Sequence, residues 1–273
     1  MRVGYAGRGV VHLVVAGFSL YAILRGGEAQ GTSSALAQLE SSVWGVAVLV
    51  AILVGMIAFA VWRVVNAAYD LEDRGAEGKG LLARGAMLVK AAVHLSIASV
   101  AGTLLISTGG GDGGSSLTRW LSEIMAWPAG PWMIGAAGLA VIAAGAVVGY
   151  KGWQGKYREH LQANPVTLHW NWFLKFGVIA KGVVVAIIGF LFVYAAWSYD
   201  PSAAGGTGEA FAWLTGQPFG RVLVGVVCLG LVAFAAYCFV NAAYRTVPKA
   251  GGEGVETLAA RLNAALKSTP VSA

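Results

Sequence analysis

The sequence predicts an all-α integral membrane protein: six transmembrane helices, built as three parallel helical-hairpin repeats around a pseudo-threefold axis along the membrane normal. Composition is the first reason. Hydrophobic residues make up 57% of the 273 and charged residues only 12%, whereas roughly a quarter of a typical soluble domain is charged. Six apolar runs recur, at residues 9–24, 43–62, 91–107, 131–150, 182–199 and 220–240. A helix needs about 20 mostly apolar residues to cross a hydrocarbon core, and the shorter runs reach that length if the basic residue ahead of each snorkels. A soluble bundle would carry a polar stripe along each helix; none of these runs does.

Repetition is the second reason. Asn66-Ala67-Ala68-Tyr69 returns unchanged as Asn241-Ala242-Ala243-Tyr244, 175 residues later. Between them, Tyr150, Gln154 and Tyr157 match Trp62, Asn66 and Tyr69 in the first copy and Tyr237, Asn241 and Tyr244 in the last. The beginnings of the units repeat too. Arg8, Lys90 and Lys181 head three apolar segments, and four positions on stand His12, His94 and Val185. Internal repetition of this kind decides the fold before any local reading. The units cover residues 1–72, 82–160 and 172–247, with an amphipathic tail at 248–273.

Taken in order, the first span has the basic start and apolar length of a signal peptide, but it is the repeat-equivalent of the third and fifth and is read as a mature span. The connections at residues 26–43, 107–130 and 200–219 each read as a Gly-rich linker, a short helix capped by Ser or Thr and a turn. Leu36, Leu39, Trp120, Leu121, Trp127, Phe211 and Trp213 suit helices lying in the membrane interface, where tryptophan is favoured. The glycine run at 109–114 is linker, with no basic residue placed to make it a phosphate loop. The connections on the other side differ from one another. Asp70-Leu71-Glu72-Asp73-Arg74 is acidic, and residues 151–175 are basic and aromatic. In the tail, Val255, Leu258, Ala259, Leu262, Ala265 and Leu266 fall on one helical face, suited to the membrane surface or the protein's own inner side.

Sixteen of the nineteen Lys and Arg residues lie on the side of the termini and the 63–90 and 151–181 connections. The positive-inside bias therefore puts both termini in the cytoplasm. A basic inner face suits anionic lipid headgroups; the bases are scattered over span ends rather than gathered in a patch, which speaks against nucleic acid. Cys228 and Cys238 lie about 15 Å apart on one helix, too far to bridge.

Two spans per unit give every unit the same orientation, so the repeats are parallel and related by rotation about the membrane normal. An inner ring of the first, third and fifth spans is expected, because they carry the charged and imidazole groups that face bundle interiors.

The candidate site is the basic triad Arg8, Lys90 and Lys181. Snorkelling to the headgroups accounts for such residues. Convergence of three cations on one axis would instead require an anion (a lipid phosphate or small solute) or acidic side chains such as the Asp70–Asp73 carboxylates to offset their repulsion. His12 and His94 lie about 6 Å deeper and could ligate haem, or simply hydrogen-bond a carbonyl. Asn66, Gln154 and Asn241 read as amides that cap helix ends or make interhelical polar contacts; Tyr69, Tyr157 and Tyr244 read as interface anchors.

The basic-x-x-x-His openings (Arg8/His12, Lys90/His94, with Lys181 and Val185 in the third unit) and the Asn-Ala-Ala-Tyr endings resemble a bacterial membrane family known as domain of unknown function 1206. The resemblance spans about residues 1–247. It implies three tandem two-span units in a bacterial cytoplasmic (inner) membrane and carries no activity over. The third unit's valine departs from the pattern, so nothing needing three histidines follows.

No Ser-His-Asp set, Cys-x-x-Cys, nucleotide motif or pair of carboxylates at depth is present, and no acidic residue lies within a span. The expectation is a non-enzymatic membrane protein without cofactor or metal: a scaffold or accessory subunit binding lipid or a partner membrane protein. The alternatives are a pore or carrier for a small anionic or neutral solute, and a haem- or quinone-binding redox subunit using His12 and His94.

Overall fold

Each apolar run forms one long helix, and the helices extend past the runs to take in the basic residues at their heads. A computed structural model describes residues 1–40, 43–106, 113–246 and 257–268. The long helices are α1 (Arg2–Leu24), α3 (Val43–Tyr69), α4 (Gly78–Ile106), α6 (Gly130–Trp153), α8 (Asn171–Ser198) and α10 (Gly220–Tyr244). All six are long and apolar enough to cross a membrane. Between the two long helices of each unit lie the short helices α2 (Thr32–Ala37), α5 (Gly113–Met125) and α9 (Thr207–Thr215). At the opposite, basic end lie a 3-10 turn (Lys156–His160), α7 (Pro165–His169) and α11 (Leu258–Ser268). The glycine run at 107–112, residues 247–256 including Val255, and the Ala265 and Leu266 side chains lie outside the described residues.

Packing follows the repeat. The second long helix of each unit packs on the first of the next: α3 on α4, α6 on α8, and α10 back on α1. These three interfaces share a register. One and eight residues after the basic head stand Gly9 and Ala16, Ala91 and Ala98, Gly182 and Gly189, and all six are buried. Small residues at this spacing let helix backbones approach closely. The approach is tightest between α6 and α8, where a Cβ added to Gly182 would stand 2.6 Å from the Gly149 nitrogen and 2.8 Å from the Gly145 carbonyl.

Within units the outcome is uneven. In the first, Gly4 lies against Phe59 and Gly7 against Gly55; in the third, Gly177 lies against Ala233 and Phe234, and Gly230 against Ala180. These are the same contacts at repeat-equivalent positions, so α1 packs on α3 as α8 packs on α10. The middle unit carries Ala86, Val147, Val89 and Ala143 there, and α4 and α6 form no packed interface. Burial records the difference: Phe59 and Phe234 are 0% and 3% exposed, and their counterpart Val147 is 49% exposed. Val11 and Val184 are 2% and 1% exposed, and their counterpart Val93 is 52% exposed. The loss has a local cause. Without the large ring on one helix and the glycine that receives it on the other, neither shape complementarity nor close backbone approach remains.

The long helices therefore run in the contact order α4, α3, α1, α10, α8, α6. Among the described residues α1, α4 and α8 form no packed interfaces with one another, which corrects the expected inner ring. Of the long helices, α1 instead sits between α3 and α10, α8 between α6 and α10, and α4 against α3 alone, because the small-residue faces point to the neighbouring unit and not to an axis.

The short helices α2 and α9 close the end away from the basic loops. Leu36 and Phe211, expected in the membrane interface, are fully buried with Val15, Leu49, Met56, Val224 and Leu231 in the main apolar core. Leu121 is buried as well, while Trp120 and Trp127 keep the expected exposure. The caps also differ from expectation. Gly31 and Gly206 precede α2 and α9, and in α9 the Glu209 carboxylate accepts from the Gly206 N–H at 2.6 Å. A Cβ on Gly31 would meet Gly208 at 2.8 Å, so Ser or Thr does not fit where the two loops cross.

Ser19 ties this end to α1. It is fully buried, and its hydroxyl donates to the Gln30 carbonyl and accepts from the Gln30 N–H, both at 3.0 Å. Ser19→Ala is expected to cost about 1–3 kcal/mol, the penalty for leaving buried backbone groups unpaired, read as a lower thermal midpoint in detergent. An unchanged midpoint would mean the loop re-pairs.

Candidate functional site

Helical periodicity puts Arg8, Lys90 and Lys181 at repeat-equivalent positions near the basic end of α1, α4 and α8. The structure brings Arg8 into electrostatic range of both lysines, and Lys181 and Arg8 act on His12 and His94. Arg8 and Lys181 are half-buried and Lys90 is exposed. Among the described residues no carboxylate forms an ion pair with any of the three. Arg8 lies between two rings, 5.3 Å from the Phe59 centroid and 4.9 Å from that of Phe234. Its Nε is buried with no hydrogen-bond partner.

The histidines follow the same logic. His12 packs on Phe234 of the third unit at 5.0 Å, and His94 packs on Phe59 of the first at 4.4 Å. The equivalent pair is Val185 with Val147. The third unit's missing histidine thus goes with the middle unit's missing phenylalanine, which gives the imidazoles a packing role against the next unit. His94 Nδ1 lies 2.6 Å from the Lys90 carbonyl, so Nδ1 carries the proton that it donates, and Nε2 is the nitrogen left over. Among the described residues no group of three or more His, Cys, Asp or Glu side chains converges as a metal site would require.

A second polar centre was not anticipated from the sequence. Glu72, 7% exposed, accepts from Arg245 at 2.7 Å and Arg74 at 2.9 Å, with Arg63 at 3.6 Å. Arg63 also donates to the Tyr5 hydroxyl at 3.1 Å, and Arg245 lies over the Tyr5 ring. This clasp joins the first unit to the third. Burial pushes the Glu72 carboxyl up, but Arg245, Arg74 and Arg63 together outweigh it and hold the group at about 2. Of the triad, Lys90 feels both Glu72 and Arg63 of the clasp, with opposite signs. Asp70, in the same loop, accepts instead from the backbone N–H groups of Arg74 and Gly75.

The amides do not bridge helices as expected. Asn241 donates to the Tyr237 carbonyl at 2.8 Å and accepts from Arg245 at 3.0 Å, so it orients the clasp from within its own helix end. Gln154 bonds Tyr150 one turn back. Asn66 is fully buried with both amide atoms unpartnered. Of the tyrosines, Tyr69 is exposed as an anchor would be and Tyr244 is half-buried. Tyr157 is not an anchor. The chain turns at Gly155, with φ of +72°, and carries Tyr157 into a buried cluster with Leu161, Leu174 and Leu258, its hydroxyl donating to the Asn171 carbonyl at 2.8 Å. The tail helix α11 docks on the same cluster, the Leu258 N–H donating to the Leu161 carbonyl at 2.7 Å.

Three tandem units are also the layout found by comparison with known proteins. An uncharacterized protein of Bacillus subtilis (strain 168), YxxB, is 29% identical over 248 residues, covering 89% of this chain and 90% of that protein. No solved structure matches. The model of one family matches three times in succession, at residues 3–70, 85–155 and 176–245. On that match the chain belongs to the Domain of Unknown Function (DUF1206) family.

Proposed function

We propose that this is a non-enzymatic protein of the bacterial inner membrane that binds an anionic phospholipid, with the headgroup phosphate held between Arg8, Lys90 and Lys181. Both termini, the 63–90 and 151–181 connections and the tail at 248–273 lie in the cytoplasm on this reading. The single observation that carries it is that Arg8 of the first unit lies within electrostatic range of Lys90 of the second and Lys181 of the third, with no carboxylate in an ion pair with any of the three among the described residues. Like charges at such spacing are unfavourable unless a counter-charge joins them. Snorkelling alone does not account for Arg8, whose guanidinium is held between two rings with a buried unpartnered nitrogen.

The architecture that serves this is a six-helix ring with pseudo-threefold symmetry, interrupted at one junction. The contact order, unbroken from α4 round to α6 and open only between those two, and the shared small-residue register of the unit-to-unit interfaces support it. A pore is the weaker reading, because the half of the bundle away from the cations is a continuous apolar core closed by Leu36 and Phe211.

The test is lipid retention. Protein purified from membranes or exchanged into nanodiscs is expected to keep phosphatidylglycerol over phosphatidylcholine in native mass spectra. Lys90→Ala and Lys181→Ala should each weaken retention about fivefold, from about 1 kcal/mol per basic residue near a headgroup. Retention that is indifferent to headgroup charge and to both substitutions would end this reading.

A further inference from the structure

We infer that the gap between α4 and α6 is a lateral portal, through which the acyl chains of that anionic phospholipid enter the bundle. The inference rests on the function proposed above and adds where the lipid sits and how it gets there.

The gap is built into the middle unit by sequence, position by position. Val89, Val93 and Ala86 on α4 and Ala143 and Val147 on α6 occupy the places that form the helix interface in the other two units, and all five are exposed. What they present is small, smooth apolar faces on both helices, suited to flexible hydrocarbon rather than to interlocking side chains. The two helices come within electrostatic range at the basic end, where Lys151 near the end of α6 acts on Lys90 of α4. Both lysines are exposed, and no carboxylate pairs with either among the described residues. In the first unit the counterpart of Lys151 is Arg63, which is committed to Tyr5 and Glu72; in the third it is the neutral Cys238. The open junction is therefore the one flanked by uncommitted cations.

Charge decides the occupant. A second copy of the chain docked gap to gap would set the same lysines against each other, which is unfavourable at an interface. A free inorganic anion would use the cations but not the apolar faces. A phospholipid satisfies both: its phosphate meets Lys90, Lys181 and Arg8, and its chains fill the space that Phe59 and Phe234 fill in the other units.

A phosphatidylglycerol with a photoactivatable group in its acyl chain, reconstituted with the full chain in nanodiscs, tests this directly. Crosslinks are expected to concentrate on the peptides of α4 and α6 over the other outer helix faces. The quadruple variant A86G/V89A/A143G/V147F gives the middle unit the glycines and phenylalanine of the other two and should zip the gap. It is expected to cut α4 and α6 crosslinks about fivefold or more, equivalent to about 1 kcal/mol, with crosslinks elsewhere unchanged. Wild-type crosslinks spread evenly over all outer faces would overturn the portal, and this readout does not depend on the variant folding. A wild-type dimer that the variant converts to monomer would assign the gap to a second copy and equally overturn it. The two proposals fail separately. Lost charge preference with gap crosslinks intact removes the phosphate site, and kept charge preference with even crosslinks removes the portal.

Discussion

Glu72→Ala is expected to destabilise the protein by about 3 kcal/mol or more, because removing one partner from a buried ion pair strands the remaining charges. Here Arg63, Arg245 and the half-exposed Arg74 would be left facing each other where the first and third units meet. The measurement is the thermal midpoint in detergent, with Asp73→Ala in the same loop as comparison. The pH dependence has a definite sign. The folded-state carboxyl is held at about 2, below the ordinary 4.5, so its stabilisation is fully present above about pH 4.5 and is lost as pH falls towards about 2. Glu72→Gln should remove that acid-dependent loss along with the stability. Equal midpoints for wild type and Glu72→Ala at neutral pH would show that the clasp is ornamental to folding.

Gly182→Leu is expected to be as damaging, for a different reason. The Cβ would stand 2.6 Å from the Gly149 backbone nitrogen, and no rotamer change moves a helix backbone. α6 and α8 must separate, exposing the closest of the unit-to-unit interfaces. Overpacking typically costs about 1–3 kcal/mol where side chains can yield, and here they cannot. Gly225→Leu is the control, since nothing lies within 4 Å of an added Cβ there. The expected result is a broadened or aggregated elution profile for Gly182→Leu and a normal one for Gly225→Leu.

The six long helices were legible because the bilayer demands length and apolarity, and both are written in single segments. The three units were legible because Asn-Ala-Ala-Tyr and the basic heads survive in the text. The open junction was not, although its signal was present: Phe59 and Phe234 align with Val147, and Gly4 and Gly177 align with Ala86. Reading that as a lost interface required knowing which faces meet, and periodicity does not supply this when every face is apolar. The burial of Leu36 and Phe211 was hidden for the same reason, since an apolar residue on a short helix suits a membrane interface and a core equally. The Glu72 clasp was invisible because its partners are 173 residues apart in the case of Arg245, and no pattern local in sequence announces such a pair. The triad was found because it repeats, and the structure brings its first member, Arg8, within electrostatic range of the other two.

The account stands most directly on what lies between Arg8, Lys90 and Lys181. An experimental density map of the protein in nanodiscs containing phosphatidylglycerol is the measurement. The account predicts a headgroup density within salt-bridge reach of Lys90 and Lys181, with a tail leaving between α4 and α6. A closed α4–α6 interface with all three basic side chains turned out to the membrane surface, and no density among them, would contradict it.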